Sequence, residues 1–112
     1  MIDERRKYSR ILRDELIVVD VLCNEKIDIP LVFECRSKDL SAKGVRIHGQ
    51  HSVPLNQDVE LVIHMGIDKQ AYILSGKIKW TTETTENEHL AGIELSDNQE
   101  TDIGKWQKLF IN

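Results

Sequence analysis

The sequence is poor in cysteine, proline and aromatic residues, with two Cys, two Pro and two each of Trp, Tyr and Phe among 112 residues. It also lacks long apolar runs, and none approaches the roughly 18 residues that a membrane-spanning helix needs. Residues 1–15 are charged and contain no apolar segment of a secretory signal. We therefore expect a cytoplasmic protein that does not insert into a membrane.

The two cysteines, Cys23 and Cys35, match neither a CxxC motif nor a zinc pattern in their spacing. They fall in two predicted strands joined by a short turn at residues 25–28. A hairpin centred on that turn places Cys35 opposite Val18 rather than opposite Cys23. We therefore expect no disulfide, and predict that both thiols are small buried apolar groups in a reducing compartment.

Catalytic and metal-binding motifs are also missing. There is no GxSxG, no Walker A loop and no GxGxxG. His48 and His51 are three residues apart, but nothing nearby supplies further ligands at metal-like spacing. The acidic residues are scattered and form no evident acid–base pair. The sequence therefore predicts neither an enzyme nor a metal or cofactor site.

The charge is unevenly distributed. The net charge is −4, which argues against a protein that coats DNA or RNA through its phosphates. Residues 1–13 carry +3, however, and the remaining 99 residues carry −7. The basic N-terminal arm is either a solvated terminus or a device that binds a small anion.

The hydrophobic pattern predicts six short strands and one terminal helix. Residues 58–65 alternate with period two, as in a half-buried strand. Ser75-Gly76 indicates a bulge or a close backbone approach within the fifth strand, and the segments 37–44 and 81–88 are predicted as polar connections. The predicted strands cover residues 16–23, 29–36, 45–48, 58–65, 71–80 and 89–95.

The end of the chain changes to helical periodicity. Ser96 and Gln99 have the spacing of a capping box, and Trp106 and Phe110 are predicted to pack on the body. The whole chain is predicted to be one domain: a flexible basic arm (1–14), a small antiparallel barrel or sandwich (15–95) and a C-terminal helix (96–111).

Two short motifs carry the most functional information. The first is an RxxxR motif formed by Arg6 and Arg10 and preceded by Arg5, and the second is a DxSxxG motif formed by Asp39, Ser41 and Gly44. Each is weak alone, because basic termini often contain such a pair and an ordinary turn has the same residues. In such a turn, Asp and Ser cap backbone N–H groups and Gly takes the positive φ.

Together and in this order, the motifs resemble the PilZ domain, a bacterial receptor module for cyclic di-GMP. Gly92-Ile93-Glu94-Leu95 resembles the family's last strand, with Leu95 where Phe is common, and Lys77 to Trp80 resembles its strand that ends in Trp. The resemblance covers nearly the whole chain. It implies a six-stranded antiparallel barrel and a receptor in second-messenger signalling, which serves processes such as motility or biofilm formation.

The resemblance implies a cyclic di-GMP site formed by Arg6, Arg10, Asp39, Ser41 and Gly44. The chemistry agrees, because guanidinium groups pair with phosphate and with the O6/N7 edge of guanine, and an aspartate accepts from the donors of the other edge.

Two further positions are open. Arg5 either contacts the ligand or is a solvated flank, and Trp80 either stacks on guanine or is a core aromatic at the barrel end.

The implied mechanism is an order–disorder switch in which the ligand draws the arm onto the barrel. The resulting surface would be read by an effector protein in trans, since no output domain is attached. The alternative is a PilZ-like protein–protein adaptor that does not bind the nucleotide. A barrel that binds RNA is a further alternative, disfavoured by the few aromatic residues and the acidic body.

Overall fold

The computed structural model describes residues 11–12, 14–22, 31–84 and 87–110. The elements in chain order are β1 (Ile11–Leu12), β2 (Leu16–Val21), β3 (Leu31–Leu40), β4 (Gly44–Gly49), β5 (Asp58–Met65), β6 (Gln70–Glu83), β7 (His89–Leu95) and α1 (Ile103–Lys108). Within these ranges, no helix is both long and apolar enough to cross a membrane.

Strands β2 to β7 close into a six-stranded antiparallel barrel, which confirms the predicted fold class. The hydrogen-bonded order is β3-β2-β5-β6-β7-β4, and β4 pairs again with β3. This closure depends on the length of β3, because its first part pairs with β2 and its last part with β4. The short β1 joins the last part of β3, with Ile11 opposite Leu40 and Leu12 opposite Asp39.

The barrel interior holds the apolar residues that alternate along the strands. In β5, Val59, Leu61 and Ile63 are fully buried while Asp58 and Glu60 are exposed, so the predicted period of two is confirmed. Burial of each such side chain contributes roughly 1.5–3 kcal/mol. The barrel thus has one continuous core, which fixes the strand registers.

Two strands continue through segments that the sequence predicts as polar connections. β3 extends to Leu40 and β6 extends to Glu83, so the predicted ends of both strands are wrong. Lys38 and Thr82 in these extensions are exposed, whereas Ser37 and Asp39 are buried. A hydrogen-bonded ladder continues past such residues, because only one face of an antiparallel sheet needs to be apolar.

The C-terminal helix is shorter than predicted, since residues 96–102 are not helical. The predicted capping box does not form: the Ser96 hydroxyl lies 2.7 Å from that of Ser75. The helix instead follows Asp102, whose carboxylate accepts a hydrogen bond of 2.9 Å from the backbone N–H of Ile73. This contact ties the start of α1 to β6 and directs the apolar face of the helix into the core.

Cys35 is buried, as predicted, and burial raises the pKa of its thiol to about 12. It lies opposite Ile17, one residue from the predicted partner Val18. Cys23 lies outside the described residues.

The glycine of Ser75-Gly76 marks a close backbone approach. A Cβ at Gly76 would lie 2.5 Å from the carbonyl oxygen of Glu94. No register shift falls at this point in β6, so the bulge interpretation is wrong. The bulges that the described strands contain lie at Ser37/Asp39 in β3 and at Ile78/Trp80 in β6.

Candidate functional site

An open pocket of about 570 Å³ lies on the outer face of β4, β7 and β6. It includes two residues of the DxSxxG motif, Ser41 and Gly44, and the open candidate Trp80. Its lining residues are Ser41, Lys43, Gly44, Val45, Arg46, Lys79, Trp80, Gly92, Ile93 and Glu94. Two of the predicted site residues thus lie at one pocket, whose lining comes from the turn after β3 and from β4, β6 and β7.

Asp39 does not line the pocket, but the bulge in β3 brings it into contact with the lining residue Arg46. Ser37 pairs with Ile47 and Asp39 pairs with Arg46, so Lys38 is the extra residue of the bulge. The extra residue reverses the alternation and places Asp39 on the same face as Arg46. Asp39 is fully buried.

Arg46 supplies a cation to this buried carboxylate. Its Nε donates a hydrogen bond of 2.5 Å to Asp39 Oδ2, and its terminal NH2 nitrogen contacts the same oxygen. This hydrogen bond raises the pKa of Arg46. Arg46 is not among the site residues predicted from the sequence. The signal that could have indicated this contact is the register of the hairpin between β3 and β4. When Leu40 lies opposite Val45, Asp39 lies opposite Arg46.

Ser41 and Gly44 hold the turn that connects β3 to β4. The Ser41 hydroxyl accepts a hydrogen bond of 3.0 Å from the Gly44 N–H and lies 3.1 Å from the Gly44 carbonyl oxygen. The predicted capping role of Ser41 therefore agrees with the structure. The predicted positive φ of Gly44 is wrong: among the described glycines, only Gly66 has one. Gly44 instead begins β4, opposite Glu94.

The C-terminal helix anchors the turn between β3 and β4. Trp106 is fully buried and its indole Nε1 donates a hydrogen bond of 2.9 Å to the carbonyl oxygen of Ser41. The ring also packs against Tyr72 and Phe110. The packing role predicted for Trp106 is confirmed, and its hydrogen bond to the turn is an additional role.

Trp80 lies on the outer surface, so its interpretation as a core aromatic is wrong. The bulge in β6 makes Lys79 the extra residue and brings Trp80 opposite Gly92. The side chain of Trp80 is 41% exposed. A Cβ at Gly92 would fall on the indole, so the ring lies directly over this glycine. Arg46 pairs with Gly92 from the other side, which places Arg46, Gly92 and Trp80 in one row.

Charged side chains give the pocket a mixed but mainly basic lining. The lining contains three basic residues, Lys43, Arg46 and Lys79, and one acidic residue, Glu94. Cations beside an exposed aromatic ring and an accessible backbone suit a ligand that combines anionic groups with flat bases.

The arginines of the RxxxR motif, Arg6 and Arg10, lie outside the described residues, as does Arg5. Ile11, which follows Arg10 directly in the sequence, lies opposite Leu40 in the ladder between β1 and β3. The described chain therefore starts next to Asp39.

The two histidines considered for metal binding have other contacts. His48 Nδ1 lies 3.1 Å from a Glu88 carboxylate oxygen, and His51 packs against the ring of Phe33. Across residues 14–22, 31–84 and 87–110, no group of three or more His, Cys, Asp or Glu side chains is arranged to hold a metal ion.

The comparisons with known proteins agree with this architecture. The PilZ domain family model matches residues 4–110, so this chain belongs to the PilZ domain family. The resemblance found in the sequence is therefore confirmed. No curated protein matches the chain.

Three solved structures share the fold. The Bacillus subtilis inhibitor of motility, MotI/DgrA, superposes with a TM-score of 0.70 at 15% identity over 96% of this chain. The chain spans 49% of that protein, about half its length. The PilZ domain of YcgR from Escherichia coli, solved with c-di-GMP, has a TM-score of 0.65 at 13% identity and covers 96% of this chain and 89% of its own. The PilZ domain of CeSA from a cellulose-synthesizing bacterium has a TM-score of 0.57 at 17% identity, with 90% and 93% covered.

Proposed function

We propose that this protein is a cyclic di-GMP receptor that binds the nucleotide in the pocket beside Asp39. The observation that carries the proposal is the pairing of β1 with β3. Ile11, the residue after Arg10, lies opposite Leu40, and Leu12 lies opposite Asp39. β1, which follows the RxxxR motif in the sequence, thus pairs with the strand that contains Asp39, although the two motifs are about 30 residues apart. Membership of a family of cyclic di-GMP-binding modules supports the same ligand.

Each part of the ligand has a matching group. Arg6 and Arg10 bind the phosphates and the O6/N7 edge of guanine. Asp39 accepts hydrogen bonds from the N1–H and the amino group of the same base. Ser41 and Gly44 hold the turn against which the ligand rests, and Trp80 offers an exposed ring for stacking.

The direct test is a calorimetric titration of the protein with cyclic di-GMP. We expect saturable binding with a dissociation constant below tens of micromolar, roughly −6 kcal/mol or better. The affinity should depend weakly on salt, because two phosphates give a slope of at most about −2 in log K against log [salt]. Absence of binding would favour the adaptor function, and a steep salt slope would favour a polynucleotide ligand.

Binding is proposed to order the arm on the barrel and to create a surface for an effector protein in the cytoplasm. Ordering the arm costs conformational entropy and consumes part of the free energy of the ligand contacts. The arm is therefore expected to become ordered only together with bound ligand. A pull-down from the source cells with and without cyclic di-GMP tests this step. We expect a partner that is retained only with the nucleotide and is lost when Asp39 is replaced by alanine.

Replacing Gly92 by alanine is expected to weaken binding by about 5- to 150-fold, the range of a lost base–aromatic stack. The new methyl group would occupy the position of the Trp80 indole and displace the ring from the pocket. The fold should survive because the exposed ring can turn away. The measurement is a titration combined with the fluorescence change of Trp80 on ligand addition. Gly104→Ala is the control, since a Cβ there meets no atom within 4 Å. Equal affinities of the two variants would contradict a stacking role for Trp80.

A further inference from the structure

Arg46 has an unusual position among the charged residues of the barrel. It lies on the outer face of β4, where a charged side chain is normally solvated, and its side chain is 44% exposed. It nevertheless contacts Asp39, whose side chain is completely buried. One end of this ion pair is therefore inside the protein and the other lines the ligand pocket.

The contact geometry argues for a role other than stability. Arginine–carboxylate pairs frequently form two parallel hydrogen bonds. Here Nε and the terminal NH2 nitrogen both contact Oδ2. Buried ion pairs contribute little net stability compared with apolar residues of similar size. What the pair does provide is a cation, which favours the ionised form of a carboxylate, and a contact that fixes the orientation of Asp39.

We propose that Arg46 is a positioning residue that determines base specificity: it holds Asp39 ionised and oriented so that the carboxylate accepts from the donor edge of guanine. The proposal rests on the proposed function, since it assigns a role within the same ligand site. A carboxylate can distinguish guanine from hypoxanthine by the 2-amino donor that hypoxanthine lacks. It does so only if its oxygens are held in the right direction.

Two other roles for Arg46 predict different results when it is removed. If Arg46 occupied Asp39 in place of the ligand, its removal would free the carboxylate and binding would become tighter. If Arg46 only stabilised the barrel, its removal would weaken all ligands by the same factor. The proposal therefore requires both a loss of affinity and a loss of discrimination.

The experiment compares calorimetric titrations of wild type and Arg46→Ala with cyclic di-GMP and with cyclic di-IMP, its hypoxanthine analogue. We expect the affinity for cyclic di-GMP to fall by at least about tenfold, as for a lost hydrogen bond to a charged group. The affinity for cyclic di-IMP should fall less, so the ratio between the two ligands shrinks. An unchanged ratio, or tighter binding by Arg46→Ala, would overturn the proposal.

Arg36→Ala is the matched control. Arg36 is also on the outer face, 47% exposed and hydrogen-bonded to a carboxylate, Asp14, at 2.7 Å. It does not line the pocket, so its removal should leave both affinities and their ratio unchanged. If wild type binds and the two alanine variants behave alike, the inference about Arg46 fails while the proposed function stands. If wild type does not bind, the proposed function itself fails.

Two further variants separate positioning from loss of folding. Arg46→Lys keeps the charge but cannot contact Oδ2 with two nitrogens, so we expect a thermal midpoint close to wild type with affinity and ligand ratio between those of wild type and Arg46→Ala. Asp39→Asn, alone and combined with Arg46→Ala, completes a double-mutant cycle. Because Arg46 acts through Asp39, its removal should have little additional effect in the Asp39→Asn background. Additive effects would contradict the proposal.

Discussion

Replacing Trp106 by alanine is expected to lower the free energy of unfolding by about 3–5 kcal/mol, the usual cost of removing a buried tryptophan side chain. The indole is fully buried and packs against Tyr72 and Phe110, with ring centroids 5.6 Å and 5.1 Å away. A domain of this size has about 5–15 kcal/mol in total. The variant should therefore be substantially less resistant to urea, as a lower denaturation midpoint would show.

The same residue connects the core to the turn of the proposed ligand site. Its N–H donates to the carbonyl oxygen of Ser41 at 2.9 Å in a buried position. Trp106→Phe keeps most of the ring packing but leaves this carbonyl without its donor, which costs about 1–3 kcal/mol. We expect this variant to fold and to bind the nucleotide more weakly, because the turn between β3 and β4 loses its anchor.

Leu109→Ala is the control for both Trp106 variants. Leu109 directly follows α1, is 44% exposed and caps the helix through its backbone N–H, so its truncation should change stability by only a few tenths of a kcal/mol. A Trp106→Ala variant as stable as Leu109→Ala would show that the helix does not support the barrel.

The sequence predicts the barrel because its strongest signals are local. The alternation in Asp58–Met65 and the β-branched run in Leu16–Val21 each specify a strand with one buried face. The change to helical spacing around Trp106 specifies the terminal helix. These patterns depend only on which residues follow one another, and a closed sheet is the arrangement that buries all of the apolar faces together.

The two bulges could not be predicted in the same way. Period-two alternation continued through Ser37 and Ile78 would point Asp39 and Trp80 into the core. One extra residue in each strand, Lys38 and Lys79, reverses this direction. The extra residue is defined by the register of the partner strand, and that register is set by the whole barrel. Both site residues therefore acquire their positions from pairing rather than from their own neighbours in the sequence.

The role of Gly92 likewise depends on strand pairing and could not be predicted from its neighbours in the sequence. In the sequence, Gly92 is recognisable only as part of a strand that resembles the family. Its importance follows from facing both Arg46 and Trp80 across two different ladders. Such a contact between three strands is visible only once the sheet is assembled.

Replacing Arg6 or Arg10 by alanine is expected to weaken cyclic di-GMP binding by at least about 30-fold, the effect of losing a charge-assisted contact to a desolvated partner. Arg10 immediately precedes Ile11, and the ladder places Leu12 opposite Asp39. In the proposed complex, the arginines bind phosphate while Asp39 binds the base. The measurement is a calorimetric titration of each variant.

Lys7→Ala and Arg13→Ala test whether the motif or the overall charge of the arm is responsible. Each removes one positive charge from the same segment without changing the RxxxR spacing, so each should reduce the affinity only slightly through the weaker field. Arg10→Lys keeps the charge but loses the planar fork that matches phosphate and guanine, and we expect it to bind nearly as weakly as Arg10→Ala. If all of these variants lost affinity equally, the arm would act as a diffuse positive charge, and the ligand site would consist of the barrel residues around Asp39 alone.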